Sequence, residues 1–240
     1  MTRVGVHRRG AGTAVDLRAG ALAPRVLSTT GAGARVALVG ARALLLAGDD
    51  VELDVQVGAG CVLDLVEVAG TVAYDGRGGS ASWSVRVLLE EGARLLWHGE
   101  PFVVAAGADV RRSLDVRMAA GSLALLRETL VLGRTGEVGG RLRSTARVHL
   151  AGRPLLVEDL DLRDVGTRGS GAVLGTARCV DTVSVWGARL DGPDALQLDG
   201  PGSLVRRLTA HAHDSDVATT WRTWRRAATL PGQPGCSSPV

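Results

Sequence analysis

Three carboxylates stand inside runs that otherwise read as hydrophobic. Glu128 interrupts Leu125-Leu126-Arg127-Glu128-Thr129-Leu130-Val131-Leu132, Glu158 closes Pro154-Leu155-Leu156-Val157-Glu158, and Asp49 follows Leu44-Leu45-Leu46-Ala47-Gly48. Strand alternation sends such a side chain either to the wet face or into the core. In the core it is costly unless it is paired, hydrated or in contact with a cation. Oxygen ligands spread along an interior route hold a borderline divalent transition metal more weakly than imidazole or thiolate would. Weak holding is what handing an ion onward requires.

Other side chains offer competing chemistry. His211-Ala212-His213 can aim two imidazoles the same way from an extended segment, but two ligands do not close a metal site. Trp97-His98-Gly99-Glu100 presents an imidazole and a carboxylate, or else simply a strand end that turns at Gly99 ahead of Pro101. Cys236 adds a soft thiol near the C-terminus. If His98, Glu100, His211 and His213 converged, the chain would be a small metal-dependent hydrolase or a sugar-binding β protein, and this is the alternative reading. Against it, the sequence has no G-x-S-x-G elbow, no P-loop, no H-E-x-x-H and no cysteine pair at metal spacing. Catalysis needs a positioned base and an activated partner, so a non-enzymatic protein is expected.

The elements that must position these groups are mainly strands. Val51, Leu53, Val55 and Val57 alternate with Glu52, Asp54 and Gln56, and Trp83, Val85 and Val87, then Leu114, Val116 and Met118, repeat the pattern. Small-residue turns at Gly92-Ala93, Gly107-Ala108 and Gly121-Ser122 recur about every 15 residues. The fold class expected is mainly β: many short strands in one domain over residues 1–230, in a β-helical or sandwich-like arrangement, with a C-terminal helix. A plain structural solenoid calls for strict repeats, and the spacing before Gly92 is irregular. The helix is expected from a cap at Asp214 or Ser215, with Val217, Trp221, Trp224 and Ala228 on one face. Gly166–Gly171 reads as a mobile loop and residues 231–240 as a disordered tail.

Composition removes several partners. All 28 basic residues are Arg and the net charge is only +3. Without a basic block or stacking aromatics, nucleic acid is not expected. No uncharged apolar run approaches a membrane span and no secretory signal opens the chain, which points away from membranes and toward the cytoplasm. Three widely spaced cysteines do not make a disulfide framework.

Between residues 40 and 160 the strands are punctuated by an ordered series of signatures. They are Gly48-Asp49, Gly58-Ala59-Gly60, Ala69-Gly70-Thr71-Val72-Ala73-Tyr74, Gly92-Ala93-Arg94-Leu95-Leu96-Trp97, Leu132-Gly133-Arg134-Thr135-Gly136-Glu137 and Gly152-Arg153-Pro154-Leu155-Leu156-Val157-Glu158-Asp159. In this order they resemble the UreD (UreD/UreH) family of urease accessory proteins, with weaker likeness over Leu204–Leu208 and Trp221–Arg225. The resemblance implies a mostly β, β-helical scaffold without catalysis. It implies that the chain binds apo-urease and UreF, recruits the GTPase UreG through UreF, and assists nickel insertion through an internal polar passage. It also implies transient Ni²⁺ rather than a tightly bound cofactor. Matched motif by motif, the passage candidates are Asp49, Thr71, Glu128 and Glu158. Two positions depart from the family pattern: Val72 stands where a Lys is usual, and His98-Gly99-Glu100 stands where Leu-Pro-Gln is usual.

Overall fold

The computed structural model describes residues 1–229. The expected tail and Cys236 lie outside them. The strands are β1 (Thr2–Arg9), β2 (Gly12–Arg18), β3 (Leu22–Thr29), β4 (Gly33–Gly40), β5 (Asp50–Val57), β6 (Val62–Glu67), β7 (Thr71–Ala73), β8 (Ala81–Leu89), β9 (Arg94–His98), β10 (Phe102–Val104), β11 (Asp109–Met118), β12 (Leu123–Leu132), β13 (Arg141–Leu150), β14 (Arg153–Asp161), β15 (Cys179–Trp186), β16 (Leu196–Gln197) and β17 (Gly202–Thr209). Two helices complete the set, α1 (Val165–Arg168) and α2 (Val217–Thr229).

The chain passes back and forth between two sheets. The first, of seven strands, runs β14-β13-β11-β8-β5-β1-β2; the second, of ten, runs β16-β17-β15-β12-β9-β6-β4-β3, with β7 and β10 attached through β12. Within the first sheet β1, β5, β8, β11 and β13 are parallel, and within the second β4, β6, β9 and β12 are parallel. The chain therefore winds as a β-solenoid: β5 to β6 and β7 is one coil, β8 to β9 and β10 the next, β11 to β12 a third. Antiparallel strands close both ends, β2 on β1 and β3 on β4 at one, β14 on β13 and β15 on β12 at the other. A stack of parallel coils needs such caps, because a bare terminal coil exposes a pairing edge.

The period-two patterns put one face of each sheet into a shared core. Val51, Leu53, Val55 and Val57 of β5 and Trp83, Val85, Val87 and Leu89 of β8 pack against Leu63, Leu65, Leu95, Trp97, Leu126 and Leu130 of the second sheet. The arrangement is thus both β-helical and sandwich-like. Turns at one end stack coil on coil: Gly60, Gly92 and Gly121 all have positive φ and lie about 30 residues apart, and Gly60 N donates to Glu91 O at 2.9 Å. The rhythm of about 15 residues in the sequence is half a coil, so irregular local spacing does not argue against a solenoid.

On the outer face of the second sheet lies α2, which buries Val217, Trp221, Trp224 and Ala228 against Leu96, Leu125, Val183, Val185 and Val205. The helix starts later than a cap at Asp214 would give. Asp214 instead accepts from His211 N at 3.2 Å in a short 3-10 turn, while Ser215 Oγ sits 3.5 Å from Val217 N. Gly166–Gly171 is not an irregular loop throughout either. Asp164 caps α1 by accepting from Thr167 N at 2.6 Å, and Arg168 is buried with its guanidinium on Gly140 O and Val138 O at 2.6 and 2.9 Å.

Candidate functional site

A row of polar positions crosses the inner face of the second sheet. The register aligns Leu65 of β6, Trp97 of β9 and Leu126 of β12, and all three point into the core. Two residues further on, again on the inner face, the same coils present Glu67, Gly99 and Glu128. Glu128 is opposite Thr182 of β15, which is opposite Arg206 of β17. Gly99 matters by having no side chain: a Cβ there would lie 2.7 Å from Arg127 O and 3.6 Å from Glu67 Oε1. The bare backbone at Gly99 lets β12 approach at Arg127 O, where a side chain would collide.

Ion pairs across the two sheets supply the countercharges. Arg112 is in phase with the buried Val110 and Leu114 of β11, so its guanidinium enters the interior, where it lies 5.3 Å from the Phe102 ring centroid and forms an ion pair with Glu128. Glu158 of β14 is opposite Ala146 of β13 and is held by both Arg206 Nη atoms at 2.6 and 3.0 Å, while Arg206 Nε donates to Thr182 Oγ1 at 3.0 Å. Glu128 and Glu158 line one pocket of about 30 Å³ together with Arg112, Ser144, Thr182 and Arg206. That is room for a water or two.

At the other end of the row Glu67 opens on a cleft of about 260 Å³ lined by Arg42, Leu44, Thr71, Val72 and Tyr74. Its carboxylate accepts from Trp97 Nε1 and from Glu100 N, each at 3.1 Å. Burial pushes the Glu67 carboxyl up to about 7, although the Glu100 amide, Arg112 and the Trp97 indole all favour the charged form. Thr71 lines this cleft. Asp49 is elsewhere: it accepts from Leu46 N and from Arg42 Nη2, each at 3.0 Å, and closes the tight loop in which Leu45 has positive φ. Its link to the cleft is indirect, through Arg42.

Of the four passage candidates, two therefore meet in one pocket, one lines a second cleft, and Asp49 caps a turn. Sequence reasoning passed over Glu67, Arg112, Thr182 and Arg206. A signal for Glu67 existed, since it keeps phase with the buried Leu63 and Leu65. Arg112 keeps phase in the same way.

The histidines do not assemble. His98 lies on the opposite face of the sheet, edge-on to Trp221 with ring centroids 5.1 Å apart, Nε2 3.2 Å from Arg127 Nη1 and Nδ1 3.8 Å from Glu100. Burial and Arg127 push its pKa down, against Glu100 and Asp181. His211 and His213 stack on each other on the surface, 5.2 Å between centroids. Among the described residues no group of three or more His, Cys, Asp or Glu is arranged to hold a metal, so the four-residue site of the hydrolase alternative is not formed.

Comparison with known proteins shows the family. A family model described as UreD urease accessory protein matches residues 1–231. The chain belongs to the UreD urease accessory protein family. Urease accessory protein UreD 1 of Streptomyces griseus is 48% identical over 232 residues, covering 93% of this chain and 91% of the relative. UreD of Frankia alni is 41% identical, covering 78% and 76%, and UreD 1 of Saccharopolyspora erythraea 38%, covering 80% and 79%. Proteins of the UreD family are non-catalytic accessories, and the general role of this member is in urease maturation.

Proposed function

We propose that this chain is a cytoplasmic nickel-delivery scaffold that binds apo-urease and UreF, recruits UreG through UreF, and lets Ni²⁺ travel along the inner polar row toward the urease active site. The observation that carries the transfer half is the inward row from Glu67 to Glu128, continued by Glu158 from the facing sheet, with a cleft at one end and a pocket at the other. Carboxylate oxygens without imidazole or thiolate suit an ion that must leave again. Thr71 and Thr182 add neutral oxygens along the way. The scaffold half rests on family membership and on exposed apolar side chains such as Val157, 65% exposed on the edge strand β14, and Leu196, 62% exposed, which a partner would cover. No helix among the described residues is long and apolar enough to cross a membrane.

The test separates the halves. Glu128→Ala and Glu158→Ala chains, expressed with the urease operon, are expected to co-purify with UreF and apo-urease while the urease carries less nickel by metal analysis. Unchanged nickel in both variants sinks the passage and leaves the scaffold standing.

A further inference from the structure

Resting on that passage reading, we propose that Arg112 and Arg206 are displaceable counter-ions that hold the route shut in the free chain. Each inner carboxylate of the pocket is already occupied by a guanidinium. Arg112 takes Glu128, with side chains 14% and 27% exposed, and Arg206 takes both oxygens of Glu158, with side chains 31% and 34% exposed. A divalent ion competes with those guanidiniums for the same oxygens.

Space points the same way. The pocket holds about 30 Å³, room for a water or two, and not for an ion that keeps a full hydration shell. An entering ion must therefore shed water and displace an arginine together. With both arginines docked the pocket has no net negative charge to draw the ion in, since each carboxylate is already matched by a guanidinium. Both arginines have somewhere to go. Arg112 already rests on the Phe102 face, which favours a cation even without Glu128, and the partly exposed Arg206 can turn its Nη atoms to water. The free scaffold then neither traps nor leaks metal until an arginine is drawn off its acid.

Equilibrium dialysis of the full chain against Ni²⁺ tests this. Arg206→Gln, at the more exposed pair, is expected to bind nickel about tenfold more tightly than the wild type and to lose that gain when Glu158→Gln is added. Arg112→Gln is expected to do the same, with the gain abolished by Glu128→Gln. Binding no tighter than wild type in both arginine variants, or a gain that survives removal of the acid, overturns the proposal. If the arginine variants fail while Glu128→Ala and Glu158→Ala still lower urease nickel, the plug falls and the passage stands. If those alanine variants leave nickel unchanged, both fall.

Discussion

The second sheet carries two polar clusters, one on each face, built from nearly the same residue types. On the inner face Glu67, Glu128 and Glu158 meet Arg112 and Arg206 beside a cleft and a pocket. On the outer face Asp181 is fully buried, held by Arg127 Nη2 at 3.0 Å and Thr129 Oγ1 at 2.9 Å, and His98 packs between Arg127 and Trp221 of α2. Asp181 has fixed partners and no exposed surface. Glu128 and Glu158 each keep one countercharge and some exposure. A sealed ion pair of this kind contributes mainly by never being broken, because loss of one partner strands the other. A pair that stays partly wet can exchange partners at small cost, which is the property a transfer route needs.

The sharpest way to break this comparison is to remove one acid from each face. Asp181→Ala leaves Arg127 without its carboxylate and is expected to cost about 3–5 kcal/mol, read as a lower urea midpoint. Glu128→Ala removes an acid 27% exposed and leaves Arg112 against the Phe102 ring, and is expected to cost less, about 1–2 kcal/mol. Equal losses would mean that both clusters are structural.

Glu67 sharpens it further, since it has burial without an arginine hydrogen-bonded to it. Its carboxyl stands at about 7 in the folded chain against an ordinary 4.5, so the folded state holds a proton that the unfolded state has released. The associated stability is present below about pH 4.5 and is lost as pH rises to about 7. Glu67→Gln removes the penalty of ionisation. It is expected to be more stable than the wild type by about 2 kcal/mol at pH 8, after allowance for partial exposure, and little different at pH 4.5. Chemical denaturation at the two pH values measures it. A pH-independent difference would place the Glu67 carboxylate in contact with water.

These residues also mark how far the sequence could be read. Strands β5, β8 and β11 were legible because the first sheet keeps a wet outer face, so apolar and polar residues alternate along them. The buried face of α2 was legible for the matching reason at helical spacing. Strand β15 was not: it is buried at all eight positions, with Asp181, Thr182 and Ser184 among them, because α2 covers its outer side. Glu128 and Glu158 stood out as acids among Leu and Val. Their partners stood out less, since every basic residue of the chain is Arg: only its phase with Val110 and Leu114 marks Arg112, and Arg206 looks like the many that face water. Asp49 shows the opposite failure. A carboxylate closing a Gly-Asp turn and one lining an interior look alike in one dimension, and only the Leu46 amide and Arg42 tell them apart.

The smallest expected effect lies outside both clusters. His211 and His213 stack in parallel on the surface turn that precedes α2, and the turn itself is held by backbone groups and the Asp214 carboxylate. Among the described residues the two imidazoles belong to no group of three that could hold a metal. Truncating both, His211→Ala with His213→Ala, removes a pair of exposed rings and should change stability by no more than about 0.5 kcal/mol. The nickel content of urease matured with the double variant should equal that of the wild type. A clear drop in nickel with stability unchanged would move the point of metal capture from the inner row to this turn, and the contrast between open and sealed faces would no longer account for transfer.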